Sequence, residues 1–284
     1  MGQGEFRTRA VLAPAMLAAI AAVYWLDISG VLGIRQGALS AAVLALLGFG
    51  GVLEFAQLLR SGGFAVANKL LLGVSGLLFV SAFPFGWHAV DRELYPLVIA
   101  TLLLLFPLAV RSLGRDDMRT GLETQGGTLL GFIFVAWPMY LAMGTCLRCL
   151  PSVLYVVLVC KGGDIGGYCT GRLFGRHKLI PHISPGKTVE GAAGSLLFSV
   201  LLAVLLRGPL LDDSFTLSLP AALGVGLVLN FTTQTGDLVE SLLKRRCGAK
   251  DSSRLLPAHG GILDLVDSLL FSFCAWFLIL VWLT

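Results

Sequence analysis

Charged residues are scarce in this chain, and their scarcity excludes an ordinary water-soluble domain. They make up 13% of the 284 residues, whereas soluble domains carry about 25%. Apolar residues reach 56% and the mean hydropathy is +0.84, values typical of an integral membrane protein. The formal net charge of +4 is small, so we assign it to loops that face anionic membrane lipids and expect no nucleic-acid partner.

Two motifs that often identify soluble proteins are incomplete here. Cys146 and Cys149 form a CxxC, but no second pair lies at zinc-finger spacing. We interpret the six cysteines as small apolar residues; a disulfide in this CxxC is possible only if its loop faces an oxidising compartment. Segment 185–188, PGKT, resembles the end of a P-loop, yet Pro181 stands where that motif needs glycine. A P-loop NTPase is therefore excluded.

Apolar runs of membrane length fill most of the chain. The first has no cleavage site after it, so we expect it to be a retained span. A span needs about 20 residues, which makes the short sixth run the least secure. The sequence predicts an all-α, polytopic integral membrane protein with about nine transmembrane helices. The runs are Ala10–Asp27, Ala38–Leu59, Val66–Phe85, Leu94–Val110, Gly127–Leu147, Val153–Tyr168, Val189–Leu206, Leu219–Thr235 and Ile262–Thr284.

The basic residues of the loops predict the orientation. If the N-terminus is cytoplasmic, sixteen of the 21 Lys and Arg residues face the cytoplasm, and Lys161 lies inside a span. Such a bias follows the positive-inside rule. We therefore expect a cytoplasmic N-terminus, in the inner (plasma) membrane of a bacterium. Four basic residues remain on the opposite side: Arg35, Arg92, Arg148 and Arg207.

The two halves of the chain differ in their polar content. Residues 1–126 hold spans nearly free of charge, so we predict a scaffold that offers packing or dimer surfaces. Glu54 is the exception; it lies near a span end, where we expect it to snorkel to the interface, with a role in a site as the alternative. Residues 127–284 are predicted to form the catalytic region, with its site on the cytoplasmic side.

The sixth run is interrupted by Lys161, Asp164 and four glycines. At membrane depth, glycines indicate either close helix packing or an unwound segment that lines a cavity. We expect Asp164 to orient a basic partner. The connection that follows, 171–191, is rich in Gly, Ser, Thr, Lys and Arg, which supply the donors that an anionic phosphate requires.

The run from Gly236 to Ser268 concentrates acidic and basic residues between apolar segments. In a helix, Asp237, Ser241 and Lys244 fall on one face, together with Glu240. Two further acids, three residues apart, stand at the start of the last span. An ionisable group inside a span costs roughly 2.5–3.5 kcal/mol, so several of them together indicate a functional site.

These two stretches resemble phosphatidate cytidylyltransferases (CDP-diacylglycerol synthases). The resemblance covers about a third of the chain, and its fixed spacing over many polar positions makes a chance match improbable. It depends on Asp164, Tyr168 and the Gly-rich, basic pattern to Gly191, and on the pattern from Ser241 to HGGILDLVD at 259–267. In the family an arginine usually stands between the last two aspartates, where this chain has Leu265 and Val266. Arg245, Arg246 or Arg254 could replace it.

The resemblance implies a reaction in which CTP and phosphatidate (phosphatidic acid) give CDP-diacylglycerol and pyrophosphate, with Mg²⁺ as cofactor. It also implies an all-helical membrane fold and a homodimer. The site would open to the cytoplasm and laterally to the membrane leaflet.

The resemblance also implies a role for each matching residue. Metal ligands would be Asp237, Asp264 and Asp267, with Ser241 and Lys244 completing the catalytic set. Alternatives from the residues alone are a helix cap for Asp264, an interfacial lysine for Lys244 and a structural histidine at 259. We expect Glu190 and Glu240 to support these residues from behind. Substrate-binding residues would be Arg172, Lys187, Thr188, Lys250, Asp251, His259, Gly260 and Gly261.

Three other functions compete with this one. Polar groups at membrane depth also mark transporters, but here the charges gather in two connections predicted to be cytoplasmic, and no internal repeat is detectable. Another CTP-using membrane enzyme, such as a polyprenol kinase or a cytidylyltransferase for a different lipid, remains open. A CDP-alcohol phosphotransferase is disfavoured because its D-G-x-x-A-R motif does not occur.

Overall fold

Helices form nearly all of the structure, a computed structural model that describes residues 18–31, 33–83, 90–113, 118–211, 217–253, 255 and 260–283. A short π-helical turn, Phe132–Ala136, joins two of the helices. The helices are α1 (Ala18–Ser29), α2 (Ala38–Ser61), α3 (Asn68–Ser81), α4 (Val90–Leu113), α5 (Met118–Gly131), α6 (Trp137–Arg148), α7 (Leu150–Phe174), α8 (Val189–Leu210), α9 (Leu219–Arg246) and α10 (Ile262–Leu283).

Six segments of the described chain are long and apolar enough to cross a membrane. The prediction of an all-α, polytopic membrane protein is therefore confirmed, while nine spans and a cytoplasmic N-terminus stay predictions. Helices α1 and α3 are shorter, and α9 carries polar residues such as Asn230 and Gln234 in its apolar part. The six are Ala38–Ser61, Leu94–Leu113, Arg119–Arg148, Leu150–Phe174, Val189–Leu210 and Ile262–Leu283.

The sixth predicted span, the least secure from sequence, is the continuous helix α7. Its glycines lie against α8: a Cβ at Gly163 would collide with the Ser199 hydroxyl, and one at Gly167 would lie 2.9 Å from Ser195 Cβ. Small residues let two helices approach closely in lipid. Of the two interpretations of these glycines, the structure therefore shows close packing and not an unwound segment.

The fifth span changes its helical pitch in the middle. Pro138 has no N–H to donate to the carbonyl of residue 134, and its ring would clash with that carbonyl in a regular α-helix. The chain widens into the π-helical turn just before it. This turn absorbs the proline, so α5 and α6 continue as one span of 30 residues.

A small hairpin departs from the all-helical prediction. Strand β1 (Lys178–Ile180) pairs antiparallel with β2 (Ser184–Thr188), with Lys178 opposite Thr188 and Ile180 opposite Ser184. It occupies the connection between α7 and α8, for which the sequence predicted hydrogen-bond donors for a phosphate but no strand. The hairpin gives this connection a fixed backbone.

Two compact units divide the chain, while the functional division into a scaffold (1–126) and a catalytic region (127–284) stays a prediction. Unit 1 contains Met1–Leu150 and Cys247–Leu265, and unit 2 contains Pro151–Arg246 and Val266–Thr284. The core of unit 1 includes Phe55 against Phe134, with ring centroids 5.7 Å apart. The core of unit 2 includes Tyr155 against Trp276, at 5.3 Å.

Candidate functional site

The hairpin that carries Lys187 is held by the first turn of α8. Thr188 is the N-cap of α8, and its hydroxyl accepts a hydrogen bond from Gly191 N at 3.1 Å. The Glu190 carboxylate accepts from the backbone N–H of Arg176 at 3.0 Å and is 2.7 Å from His177 Nδ1. These contacts fix both ends of the hairpin, so Lys187 projects from a rigid strand.

Seven ionisable residues of unit 2 form a network that we call the charge cluster. Ion pairs or electrostatic interactions link each member to at least one other. The network combines three lysines with four carboxylates, contributed by α7, β2, α9 and α10. Its members are Lys161, Asp164, Lys187, Asp237, Glu240, Lys244 and Asp267.

Asp237 contacts both a cation and a hydroxyl within the charge cluster. Lys187 Nζ lies 2.7 Å from its Oδ2, and the Ser241 hydroxyl donates to its Oδ1 at 3.3 Å. The side chains of Asp237 and Lys187 are 33% and 26% exposed, so the pair is reachable from outside. The contact with Ser241 confirms that residues 237 and 241 share a helix face.

Glu240 and Lys244 form a second pair one turn further along α9. Glu240 is fully buried and Lys244 almost so. Burying a carboxylate is costly unless a cation and hydrogen bonds compensate for lost water, and Lys244 provides that cation. Support of the catalytic residues by Glu240 stays a prediction.

Lys161 connects α7 to α10. Its ammonium donates to the Ser268 hydroxyl at 2.8 Å and lies 3.9 Å from Asp164 Oδ2. The expectation that Asp164 orients a basic partner agrees with this pair. Asp267, next to Ser268, is buried and interacts electrostatically with Asp237, Lys161 and Lys244. It therefore joins α10 to the rest of the cluster.

Gly236 brings α9 close to α10 beside these residues. A Cβ at position 236 would lie 2.7 Å from the carbonyl oxygen of Asp267 and 3.6 Å from Ser268 Cα. A backbone carbonyl cannot rotate away as a flexible side chain can. The absence of a side chain at Gly236 thus sets the spacing between the helices that carry Asp237 and Asp267.

Replacing Gly236 with Ala is expected to force α9 and α10 apart by several tenths of an ångström and to lower both the thermal midpoint and the turnover. Gly224→Ala is the matched control, because it lies on the same helix and its added Cβ meets nothing within 4 Å. Alanine favours a helix by up to about 1 kcal/mol over glycine, so the control should be neutral or slightly stabilising. Thermal unfolding of the two purified variants gives the comparison; equal midpoints would contradict the close crossing.

In unit 1, Glu54 of α2 caps the start of α10. Its carboxylate accepts hydrogen bonds from Ile262 N at 3.0 Å and Leu263 N at 2.8 Å. The hydroxyls of Ser252 and Ser253 donate to it at 3.0 and 2.7 Å. Glu54 is 6% exposed, so the prediction that it snorkels to the interface is wrong. Its charge is compensated by the unpaired N–H groups at the helix N-terminus.

Asp264 completes this arrangement, which we call the Glu54 clamp. Its Oδ2 accepts from Ser252 N at 2.8 Å and from Gly261 N at 2.7 Å, and lies 2.7 Å from the Ser252 hydroxyl, whose single proton it shares with Glu54. In the contact with Gly261, the carboxylate of the third helical residue, Asp264, accepts a hydrogen bond from the backbone N–H at the N-cap position. The alternative of a helix cap for Asp264 is thus realised. The clamp comprises Glu54, Ser252, Ser253, Gly261, Ile262, Leu263 and Asp264.

Comparison with known proteins identifies the family of this chain. The model of a family described as the cytidylyltransferase family matches residues 8–283, nearly the whole chain. The chain belongs to the cytidylyltransferase family. The resemblance noted from the sequence is therefore confirmed at the level of the family.

Several curated proteins are similar to this family member. "Uncharacterized protein YnbB" of Escherichia coli (strain K12) is 34% identical over 80% of this chain and 63% of its own length. The phosphatidate cytidylyltransferases of Staphylococcus haemolyticus (strain JCSC1435) and Staphylococcus aureus (strain COL) are 47% and 45% identical over 43% of this chain and 46% of their own lengths. The chain thus spans about half to two thirds of these relatives.

The structure places the residues predicted for a cytidylyltransferase site in different surroundings. Thr188 is buried as the cap of α8, whereas Arg172, Lys250 and Asp251 are exposed. His259 lies outside the described residues. Their roles in binding remain predictions. Of the predicted site residues, the charge cluster in unit 2 brings together Lys187, Asp237, Lys244 and Asp267, with Ser241 beside Asp237.

Gly260 and Gly261 have a local reason for being glycine. Gly260 has φ +88°, and a Cβ there would lie 2.6 Å from Asp264 Oδ2. A Cβ at Gly261 would collide with Ser252 and Glu54. Both glycines therefore let two carboxylates reach the first turn of α10. Contact with a substrate, which the family resemblance implies for them, remains a prediction.

The sequence alone assigns no functional role to Lys161, Ser252 or Ser253. Lys161 stood out as a cation within a span, a signal that such a residue has a partner. The two serines had no comparable signal, because a Ser-Ser pair is ordinary in a loop. Glu54 gave the signal of an acid in an apolar run, but its partners are about 200 residues away in the chain.

Two carboxylates of unit 2 have the chemistry to hold Mg²⁺. Asp237 and Asp267 interact electrostatically, and Mg²⁺ commonly binds one or two carboxylates together with water and substrate phosphates. Among the described residues no group of three His, Cys, Asp or Glu is arranged for a metal. Asp264 belongs to unit 1, so a shell of three aspartates remains a prediction.

Proposed function

We propose that this chain transfers CMP from CTP to phosphatidate, giving CDP-diacylglycerol and pyrophosphate. An anionic oxygen of phosphatidate bonds to the α-phosphorus of CTP. The bond from that phosphorus to the oxygen that bridges to the β-phosphorus breaks, and pyrophosphate leaves with the electron pair. The names of the Staphylococcus relatives support these particular substrates, and the family membership supports a nucleotidyl transfer.

The Lys187–Asp237 pair within the charge cluster is the observation that carries this proposal. The nucleophile is already anionic near neutral pH, so the reaction needs no strong general base. Its barrier comes from bringing one anion to the phosphorus of another, which positioned cations lower. Lys187 and Lys244 place two ammonium groups along the cluster, and the Ser241 hydroxyl adds a donor. Such groups suit phosphate oxygens.

The carboxylates of the same cluster have a separate role in the proposal. Asp237 and Asp267 would hold Mg²⁺, which, when bound, neutralises phosphate charge and stabilises the departing pyrophosphate. With four carboxylates and three lysines, the cluster has no excess of cations of its own to bind a triphosphate. This balance supports a divalent ion as cofactor.

We further propose that the protein lies in a bacterial inner membrane, with the charge cluster on the cytoplasmic side, and works as a homodimer. The bias of basic residues toward the predicted cytoplasmic segments supports the orientation. The bacterial origin of the relatives supports the assignment to a bacterial membrane. A cytoplasmic site would have access to CTP, and a membrane-embedded chain would have access to the lipid.

Purified protein in detergent micelles is expected to release pyrophosphate only when CTP, phosphatidate and Mg²⁺ are all present, with one CDP-diacylglycerol formed per pyrophosphate. A coupled pyrophosphate assay and lipid mass spectrometry measure both products. If a polyprenol is phosphorylated and CDP accumulates instead, a related lipid kinase replaces the proposal. Transport of a solute by proteoliposomes without any CTP turnover would overturn it in favour of a transporter.

A further inference from the structure

A second group of basic residues surrounds a cavity of about 670 Å³ in unit 1. The cavity forms where α2 ends and α3 begins, and residues of α4 and α5 complete its wall. Its lining residues belong neither to the charge cluster nor to the Glu54 clamp. The proposed reaction therefore leaves this cavity without a role.

The charged residues that line the cavity are all basic: Arg60, Lys69 and Arg111. Within the part of the chain that the structure describes, none of these three forms a salt bridge. Three like charges around one concave surface repel one another and attract an anion. Two arginines also offer planar, bidentate donors that match the oxygens of a phosphate.

The backbone of the cavity adds to this positive potential. Helix α3 begins at its wall, with no side-chain cap and no acidic residue in the first turn. Its first described backbone hydrogen bond runs from Leu71 N to Ala67 O, so the N–H groups before Leu71 have no intrahelical acceptor. These N–H groups are the donors that the wall offers to an anion.

The position of the cavity along the spans indicates which anion reaches it. Arg60 is in the last turn of α2 and Arg111 in the last turn of α4, at the ends of two candidate spans. Span ends lie at the level of lipid headgroups. Phe64, Val66 and Leu70 line the same cavity and give it apolar walls. Cations beside apolar walls at this depth suit an amphiphile better than a free ion.

We propose that this cavity binds the phosphate-bearing headgroup of an anionic phospholipid. Its volume falls within the roughly 300–1,000 Å³ typical of small-molecule sites, enough for a headgroup with the first part of its chains. The phosphate lies among Arg60, Lys69 and Arg111, and the glycerol region contacts the apolar wall. Since the site does not involve the charge cluster, binding there is independent of the proposed cytidylyl transfer.

Native mass spectrometry of protein taken from phosphatidylglycerol–phosphatidylcholine nanodiscs tests the proposal. The wild type is expected to retain one phosphatidylglycerol in preference to phosphatidylcholine. Arg60→Gln/Arg111→Gln should weaken this binding about 10- to 30-fold, as expected for two lost charges near a lipid surface. The control Arg119→Gln/Arg246→Gln removes the same charge on the same predicted side from residues that do not line the cavity, and should bind as the wild type does.

Three results would overturn the proposal. Equal loss in the control would mean that general surface charge holds the lipid. Displacement of phosphatidylglycerol by millimolar inorganic phosphate would identify a free-phosphate site, and equal retention of phosphatidylcholine would identify a merely apolar cavity. If the double variant does not fold, Lys69→Gln, a change at an exposed residue, provides the same comparison with a smaller loss.

Discussion

Replacing Asp237 with Asn is expected to lower kcat/KM for pyrophosphate release at least about 100-fold, or roughly 2.7 kcal/mol of transition-state stabilisation. The amide keeps the size of the carboxylate but removes its charge. Lys187 then loses its partner at 2.7 Å, and the pair of acids that Asp237 forms with Asp267 is reduced to one. Steady-state rates over a range of CTP concentrations, at saturating phosphatidate, give kcat/KM and measure the loss.

Glu123→Gln is the matched control for this variant. It makes the same chemical change at a carboxylate that is 42% exposed and pairs with Arg119 at 3.1 Å, outside the charge cluster. We expect its rate to stay within about twofold of the wild type, because exposed pairs contribute little. Thermal midpoints of both variants should match the wild type, since Asp237 is one third exposed. An Asp237→Asn enzyme with more than half of its activity would place the reaction elsewhere.

The helical part of this site was predictable because its signals are local. Residues 237, 241 and 244 follow one another at the spacing of a helix face, and α9 does bring Ser241 to Asp237. The glycines of α7, which recur within one short run, predicted either close helix packing or an unwound segment, and the structure shows the packing. Patterns that repeat over a few residues depend on backbone geometry that every helix shares.

The remaining features depend on which segments meet, and a single sequence does not reveal that. Glu54 resembled a residue that snorkels to the interface, because nothing near it in the chain showed that the N-terminus of α10 would need an anion. Thr188 looked like a phosphate contact, but a threonine just before a helix serves equally as its cap. Asp264 allowed both a metal ligand and a cap, and the structure displays the cap. In each case the residue type indicated the kind of contact, whereas the residue that makes this contact could not be predicted from the sequence.

The Glu54 clamp leads to the largest expected effect on stability. Glu54→Gln is expected to cost roughly 3 kcal/mol, because it replaces a buried carboxylate that accepts from two backbone N–H groups and two serine hydroxyls. The new NH₂ group would face donors, so at least one of the two N–H groups at the start of α10 loses its acceptor. In a chain of this size such a loss lowers the thermal midpoint by roughly 5–10 °C.

Thermal unfolding of the purified protein measures that shift, with the exposed carboxylate change Glu123→Gln again as control. Glu54→Ala, which removes the acceptor altogether, should lower the midpoint further than Glu54→Gln. This order follows from hydrogen bonding: the amide retains one acceptor oxygen and alanine retains none. If Glu54→Gln unfolds at the wild-type temperature while Glu54→Ala does not, the negative charge of Glu54 contributes nothing to stability, and one acceptor oxygen or the volume of the side chain is sufficient at the start of α10.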